Sequence, residues 1–282
     1  MITRCSKLIK KITQNKLRSF FVVLITLCLL FVGCQSKNVD DSFGEDFLPI
    51  MAEPDASNGN YATALKPSNT DKPNPYGKKR VAITYDDGPH TERTKLIADE
   101  LEKYGFHATF FVVGNRVDGS EYGGGQAMLY ALEKGNEIAI HGYTHGAYYN
   151  KCSDEVYNYE LSETVKAIKK MKPGYTPTLM RPIGGAITQE RVNSCPYSVI
   201  MWSVDSLDYK NAFIDGGVDN IVNNVMSGLK DGDIILMHDI YENTYEASKI
   251  ILKQLYDEGY EVVTVSELLG SKLEAGQKYS KR

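Results

Sequence analysis

Val81-Ala82-Ile83-Thr84-Tyr85-Asp86-Asp87-Gly88-Pro89 decides how the rest of this chain is read. Its first half is an apolar, β-branched run behind the basic Lys78-Lys79-Arg80, the composition of a buried strand. Its second half is a carboxylate pair closed by a Gly-Pro turn signal. Neighbouring side chains on a strand point to opposite faces, so adjacent aspartates on a continuing strand cannot share a pocket. If the strand stops there and the chain bends at Gly88, Asp86 and Asp87 can both reach a site at the strand mouth, in different roles. A polar turn closing a strand is the plainer reading of the stretch in isolation, because Asp-Gly turns are common. Histidines and an arginine further along decide between the two.

From Lys78 onward, strand-like and helix-like segments alternate. The pattern predicts strands near 81–85, 108–113, 137–140, 178–181, 198–204, 233–237 and 261–264. Helices are predicted near 92–104, 124–134, 154–171, 188–194, 217–229, 244–258 and 266–270. Leu96, Ile97, Leu101 and Tyr104 recur at helical spacing before a stop at Gly105, and Ile250, Ile251 and Leu255 do so before Gly259. Strands 108–113 and 233–237 are continuous apolar runs, as expected of strands covered on both faces. About seven βα units with no internal linker imply one α/β domain, a parallel sheet or barrel over 78–270. In such folds chemistry gathers where strand C-termini meet the following loops. Residues 271–282 read as a polar tail.

The N-terminal third differs in kind. Residues 1–34 hold Arg4, Lys7, Lys10, Lys11, Lys16 and Arg18, no acidic residue, and the apolar run Phe20 to Val32 before Gly33-Cys34. This is the pattern of a signal peptide, its apolar run too short for a comfortable membrane span. A small residue before cysteine resembles a bacterial lipoprotein cleavage site, with Cys34 as the lipidated residue; an uncleaved signal anchor is the alternative. Either way the expectation is an extracytoplasmic protein tethered to the membrane. Residues 35–77 are rich in Asn, Ser, Asp, Pro and Gly and lack periodicity, as a flexible linker does. Beyond residue 34, 26 basic residues face 36 acidic ones, a net charge of −10. That balance argues against nucleic acid and suits a neutral partner such as a glycan. Nineteen tyrosines are compatible with sugar stacking. Of the cysteines beyond Cys34, only Cys152 and Cys195 remain, and both are expected as free or buried thiols.

Chemistry-bearing residues fall at the predicted strand ends. The third strand runs into His141-Gly142-Tyr143-Thr144-His145, two imidazoles that can converge on one metal if the loop makes a helical turn. No glutamate follows the first histidine, so this is not the helical metalloprotease pair, and a strand-end carboxylate is the natural third ligand. The fourth strand ends in Arg181-Pro182-Ile183-Gly184-Gly185, which presents a guanidinium and backbone N–H groups. The fifth gives Asp205-Ser206-Leu207-Asp208-Tyr209, and the sixth closes an apolar run with Leu236-Met237-His238. His90 and His107 read as structural.

Taken in order, Thr84-Tyr85-Asp86-Asp87-Gly88-Pro89, His-x-x-x-His, Arg-Pro, Asp-x-x-Asp and Leu-x-His resemble the NodB-homology polysaccharide deacetylases, carbohydrate esterase family 4. The resemblance covers about residues 80–269 and implies a distorted (β/α)-barrel of about seven parallel strands with a single catalytic domain. It implies a divalent metal, zinc foremost, with cobalt, nickel and manganese as alternatives. By the same resemblance Asp87, His141 and His145 are the metal ligands. Asp86 is the general base, held ionised and oriented by Arg181. His238 is the general acid, tuned by Asp208. The Gly184 N–H helps hold the oxyanion, Leu236 lines the pocket for the acetyl methyl, and Tyr209 belongs to the groove wall.

The chain departs from the family at Tyr85 (usually Phe), Gly142 (usually a hydroxyl residue), Ile183-Gly184 (usually Pro-Tyr) and Tyr209 (usually Trp). The departure at Gly142 puts one hydrogen bond around the ligands in question. The expected function is removal of acetyl groups from N-acetylated amino sugars, with peptidoglycan N-acetylglucosamine the first substrate because a tethered enzyme reaches it. Chitooligosaccharide, exopolysaccharide and xylan are alternatives, and so is a non-catalytic glycan-binding lipoprotein on the same scaffold.

Overall fold

The computed structural model describes residues 77–119 and 123–282. The predicted signal segment, Cys34 and all but the last residue of the 35–77 linker lie outside the described residues. In chain order the elements are β1 (Arg80–Asp86), α1 (Arg93–Lys103), β2 (Thr109–Val112), α2 (Gly114–Asp118), α3 (Gly124–Glu133), β3 (Glu137–Ile140) and α4 (Asp154–Met171). There follow β4 (Leu179–Met180), a 3₁₀ turn at Ile183–Gly185, α5 (Gln189–Ser194), β5 (Ser198–Ile200), β6 (Val204–Asp205), α6 (Asp208–Asn211) and α7 (Gly217–Met226). The chain continues through β7 (Ile234–His238), α8 (Glu242–Asp257), β8 (Glu261–Val262) and α9 (Val265–Leu269) to β9 (Lys278–Tyr279).

The strands form one sheet in the order β6-β7-β1-β2-β3-β4-β5-β9, with β8 paired to β1, and every strand pairing is parallel. This is the distorted (β/α)-barrel expected, with eight strands along its path rather than about seven. β1 sits mid-sheet, and all six residues from Val81 to Asp86 are buried. Its alternation divides the core. Val81, Ile83 and Tyr85 pack outward with Phe110, Ile97, Leu101, Ile251 and Leu255. Ala82 faces inward with Phe111, Ala139, Leu179, Ile234, Val265 and Leu268, where α9 plugs one end. The inner column therefore continues Ala82, Thr84, Asp86 on β1 and Ile234, Leu236, His238 on β7. Both columns end in a functional-type side chain at the same mouth.

α4 shows why these helices start where they do. Ser153 caps it by accepting from the Val156 N–H, Asp154 and Glu155 occupy its first turn, and Lys169 and Lys170 its last.

Two expectations are corrected. The single strand predicted at 198–204 is broken into β5 and β6, because the Ile200 and Met201 carbonyls turn inward to accept hydrogen bonds from Arg181. Residues 271–282 are not a loose polar tail. β9 pairs with β5, Tyr279 is buried against the inner core, and the Arg282 N–H donates to the Gly232 carbonyl (2.8 Å). The β5 edge needs a partner for its backbone groups, and one buried aromatic in an otherwise polar segment supplies the anchor. The short helices α2 and α6 were not expected from periodicity, being too brief to show any.

Candidate active site

Asp86 is the last residue of β1, and Asp87 takes a left-handed backbone conformation (φ 70°). The chain thus bends at Asp87 itself, one residue earlier than the Gly-Pro signal suggests, and both carboxylates enter the same mouth. Gly88 has a different reason to be glycine. A Cβ there would lie 2.3 Å from an oxygen of Asp239, which follows His238.

His141 directly follows β3 and His145 ends the next turn with φ 60°. Their Nε2 atoms lie 3.3 and 2.9 Å from Asp87 Oδ1, and all three side chains are buried. One ligand atom from each lies within 4.8 Å of the others, a group able to hold a metal ion. Two further observations fit a cation there. Apart from the two histidines, neither buried carboxylate oxygen of Asp87 has a hydrogen-bond partner among the described residues. His141 Nδ1 lies 2.9 Å from the Arg181 carbonyl, an acceptor, which keeps a proton on Nδ1 and makes Nε2, facing Asp87, the atom that would ligate. Burial works against charge on Asp87, but the two histidines beside it hold its carboxyl well below the usual range.

Asp86 is held from one side. Arg181, fully buried, donates through Nη1 to Asp86 Oδ1 and Thr84 Oγ1 (2.7 Å each), through Nε to the Ile200 carbonyl and through Nη2 to the Met201 carbonyl (3.1 Å each). Its guanidinium also stacks 4.2 Å over the Phe111 ring. A buried arginine so satisfied is a fixed part of the barrel interior. The other Asp86 oxygen lies 3.7 Å from His141 Nε2.

The β1–β7 register pairs Asp86 with His238, so the two side chains emerge side by side. His238 Nδ1 bonds Asp208 Oδ1 (2.7 Å), and its backbone N–H donates to Asp208 Oδ2 (2.7 Å). Asp208, fully buried at the start of α6, also accepts from the Thr244 hydroxyl (2.8 Å) and the Tyr209 N–H (2.9 Å). Burial alone would lower the His238 pKa, but Asp208, with Asp87 and Asp86 beyond it, outweighs burial and raises it to about 10. The imidazole carries its proton at neutral pH, with Nε2 left for a reacting group. Leu236 lies two residues earlier on the same face, and the Tyr209 ring sits edge-on to His238 (5.9 Å). Gly184 occupies a left-handed position in the turn after Arg181-Pro182, where a Cβ would touch the Tyr148 ring at 3.0 Å.

Two departures acquire a physical reason. The Ser248 hydroxyl donates to the Thr244 carbonyl (2.8 Å), so the Tyr85 hydroxyl, on the outer face, donates to Ser248 Oγ (2.9 Å); the extra oxygen is absorbed. Gly142 (φ 97°) faces Glu160, whose Oε2 accepts from the Tyr143 and Thr144 N–H groups (2.6 and 2.9 Å); a Cβ at 142 would lie 2.9 Å from that oxygen and 2.6 Å from the Tyr149 hydroxyl. Glu160, buried on α4, thus clasps the loop between the two histidines, a role sequence reading missed. Its only signal was a glutamate on the inner face of that helix. His90 caps the start of α1, its Nδ1 facing the Glu92 and Arg93 N–H groups (3.2 Å each). Cys152 and Cys195 are free thiols.

A NodB-like barrel whose mouth gathers an Asp-His-His cluster between an Arg-held aspartate and an Asp-held histidine belongs to a narrow class of barrel proteins. Residues 73–199 match the family model described as polysaccharide deacetylase. The chain is 36% identical over 203 residues to a peptidoglycan-N-acetylglucosamine deacetylase of Bacillus cereus, covering 69% of this chain and 90% of that one. It is 35% identical over 247 residues to the peptidoglycan-N-acetylmuramic acid deacetylase PdaC of Bacillus subtilis, covering 84% of this chain and 50% of the relative, so it spans half that protein's length. The solved structure of PdaC superposes with a TM-score of 0.62 at 38% identity, over 68% of this chain and 90% of that one. The chain belongs to the polysaccharide deacetylase family.

Proposed function

We propose that the protein is a metal-dependent deacetylase that hydrolyses the acetamido group of N-acetylated amino sugars in an extracellular or cell-wall glycan, peptidoglycan N-acetylglucosamine first. The observation that carries this reading is the convergence of Asp87, His141 and His145, with Asp86 and His238 paired across neighbouring strand ends. Asp87, His141 and His145 would hold a divalent cation, zinc by the N and O character of the set. That ion would supply positive charge to acidify water and polarise the acetyl carbonyl.

This chain's own groups carry the proton transfers. Asp86, fixed by Arg181, accepts a proton from the attacking water. The Gly184 backbone N–H stabilises the developing oxyanion, and Leu236 packs on the acetyl methyl. His238 delivers the proton on Nε2 to the departing amine nitrogen while Nδ1 stays bonded to Asp208; the C–N bond breaks, and acetate and a free amino sugar result. The basic, acid-free N-terminus ending in Gly33-Cys34 supports an extracytoplasmic protein tethered to the membrane, by lipid on Cys34 or by an uncleaved anchor.

The test is acetate release from peptidoglycan and chitooligosaccharides by wild type and Asp86→Asn, with and without chelator. Wild type should be active only with metal, and the variant slower by on the order of 10²–10⁴-fold. Equal release by both proteins removes Asp86 as the base.

A further inference from the structure

Phe213 is the most exposed large apolar side chain among the described residues, at 75%, with Ile214 beside it at 49%. Exposed phenylalanines are ordinary on mobile loops, but this one is not loosely held. Asn211, buried two residues earlier, donates to the Leu207 carbonyl (2.8 Å), and its Oδ1 and carbonyl accept from Asn220 (3.0 Å) and Asn243 (2.8 Å). A Cβ on Gly217 would lie 2.1 Å from that same carbonyl, so both ends of the 212–216 loop are locked. The loop presents an apolar ring to water on a rigid support.

The ring also has a direction. Phe213 sits edge-on to Tyr241 at 5.8 Å, Tyr241 lies 6.0 Å from His238, and Tyr209 flanks His238 at 5.9 Å. Two steps therefore place Phe213 within about 12 Å of the His238 imidazole, on one continuous aromatic wall. Pyranose rings carry apolar C–H faces that pack on aromatic faces and polar edges that stay in water. A chain of ring contacts that starts beside the proton donor lies where a sugar strand held at that donor continues, and the Tyr hydroxyls add polar partners for sugar edges.

We infer that Phe213, carried by the pinned 212–216 loop and continued by Tyr241, forms a distal sugar-binding platform for a second pyranose of the glycan strand, on the side of the mouth where Tyr241 adjoins His238. The inference rests on the deacetylase reading of the site and adds a chain-length preference: the protein works on oligomers long enough to reach Phe213.

The experiment measures initial rates of acetate release by the metal-loaded full chain from chitooligosaccharides of two to six sugars, for wild type, Phe213→Ala and Phe213→Tyr. KM of wild type should fall as the oligomer lengthens. Phe213→Ala should lose that dependence, with KM for the hexamer raised about tenfold, the size of one lost ring contact, and Phe213→Tyr should restore it. An unchanged hexamer KM in Phe213→Ala overturns the platform. Wild type that releases no acetate from any oligomer defeats the deacetylase reading instead. Calorimetric binding of the hexamer then decides the platform: weaker binding by Phe213→Ala supports it, and equal or absent binding refutes it.

Discussion

Asp208→Asn separates the ways in which Asp208 and His238 depend on each other. Each carboxylate oxygen of Asp208 accepts two hydrogen bonds: Oδ1 from His238 Nδ1 and the Tyr209 N–H, Oδ2 from the His238 N–H and the Thr244 hydroxyl. However an asparagine amide is turned, its NH₂ meets a backbone N–H, that of Tyr209 (half-buried) or of His238 (buried), so at least one donor loses its acceptor, at about 1–3 kcal/mol where it is buried. The proton balance changes as well. In the wild type Asp208 raises the His238 pKa to about 10 against the opposing effect of burial, whereas the unfolded imidazole titrates near about 6.5. A raised histidine pKa contributes stability that is complete below about pH 6.5 and is lost as pH climbs toward 10. Within that window wild-type stability should fall by up to about 1.4 kcal/mol per pH unit from this group, a few kcal/mol across it. Without Asp208, burial opposes the charge and only Asp87 and Asp86 favour it, so the slope should flatten. Urea unfolding of both proteins, metal-free, at pH 6, 8 and 9.5 measures the difference; His90 titrates at about 4, below this range, while Asp239 (about 7) and His141 (raised) are common to both proteins and cancel in the comparison. The variant should also lose deacetylation by on the order of 10²–10⁴-fold if His238 is the proton donor. Equal slopes in the two proteins would refute the coupling, and unchanged turnover with a flattened slope would refute the donor role alone.

Glu160→Gln can keep an oxygen on the Tyr143 and Thr144 N–H groups only by turning its NH₂ to the Thr144 hydroxyl, which then loses its carboxylate acceptor. With the clasp's charge gone, metal binding should weaken about 10–100-fold by titration, with a smaller effect on the metal-free protein. Arg181→Met strips four hydrogen bonds from the barrel interior and leaves Asp86 buried without its cation, so destabilisation of about 3–5 kcal/mol should appear in denaturant unfolding. Gly142→Ser, the hydroxyl residue usual at this position, should lower stability and metal affinity rather than raise them, because its Cβ meets Glu160 and Tyr149 in this loop.

How much of this was legible depends on the kind of signal. The strands carrying the site were readable because buried parallel strands are continuous apolar runs, and residues 108–113 and 233–237 had nothing else to be. The residues at the mouth were readable because polar groups ending such runs need a reason. Irregular backbone and long-range pairing were not readable. No local pattern told that 198–204 would break so that two carbonyls could reach Arg181, and nothing in 271–282 but Tyr279 hinted at a ninth strand. The Glu160 clasp joins a loop to a helix more than a dozen residues on, beyond the reach of any periodicity.

The same distinction explains why the motif survives its departures here. Asp87 and His145 both hold left-handed backbone conformations that ordinary side chains adopt at a cost, and such strain persists only where the surroundings enforce it. Asp87 is followed by Gly88, whose backbone runs so close to Asp239 that no Cβ would fit, and the loop leading to His145 is drawn onto Glu160. Gly142 is then no lost hydrogen-bonding residue but the position that lets Glu160 approach, since a side chain there would occupy the carboxylate's place. Glycine at 142 and glutamate at 160 therefore act as one unit in this chain, and replacing either alone should loosen the ligand loop.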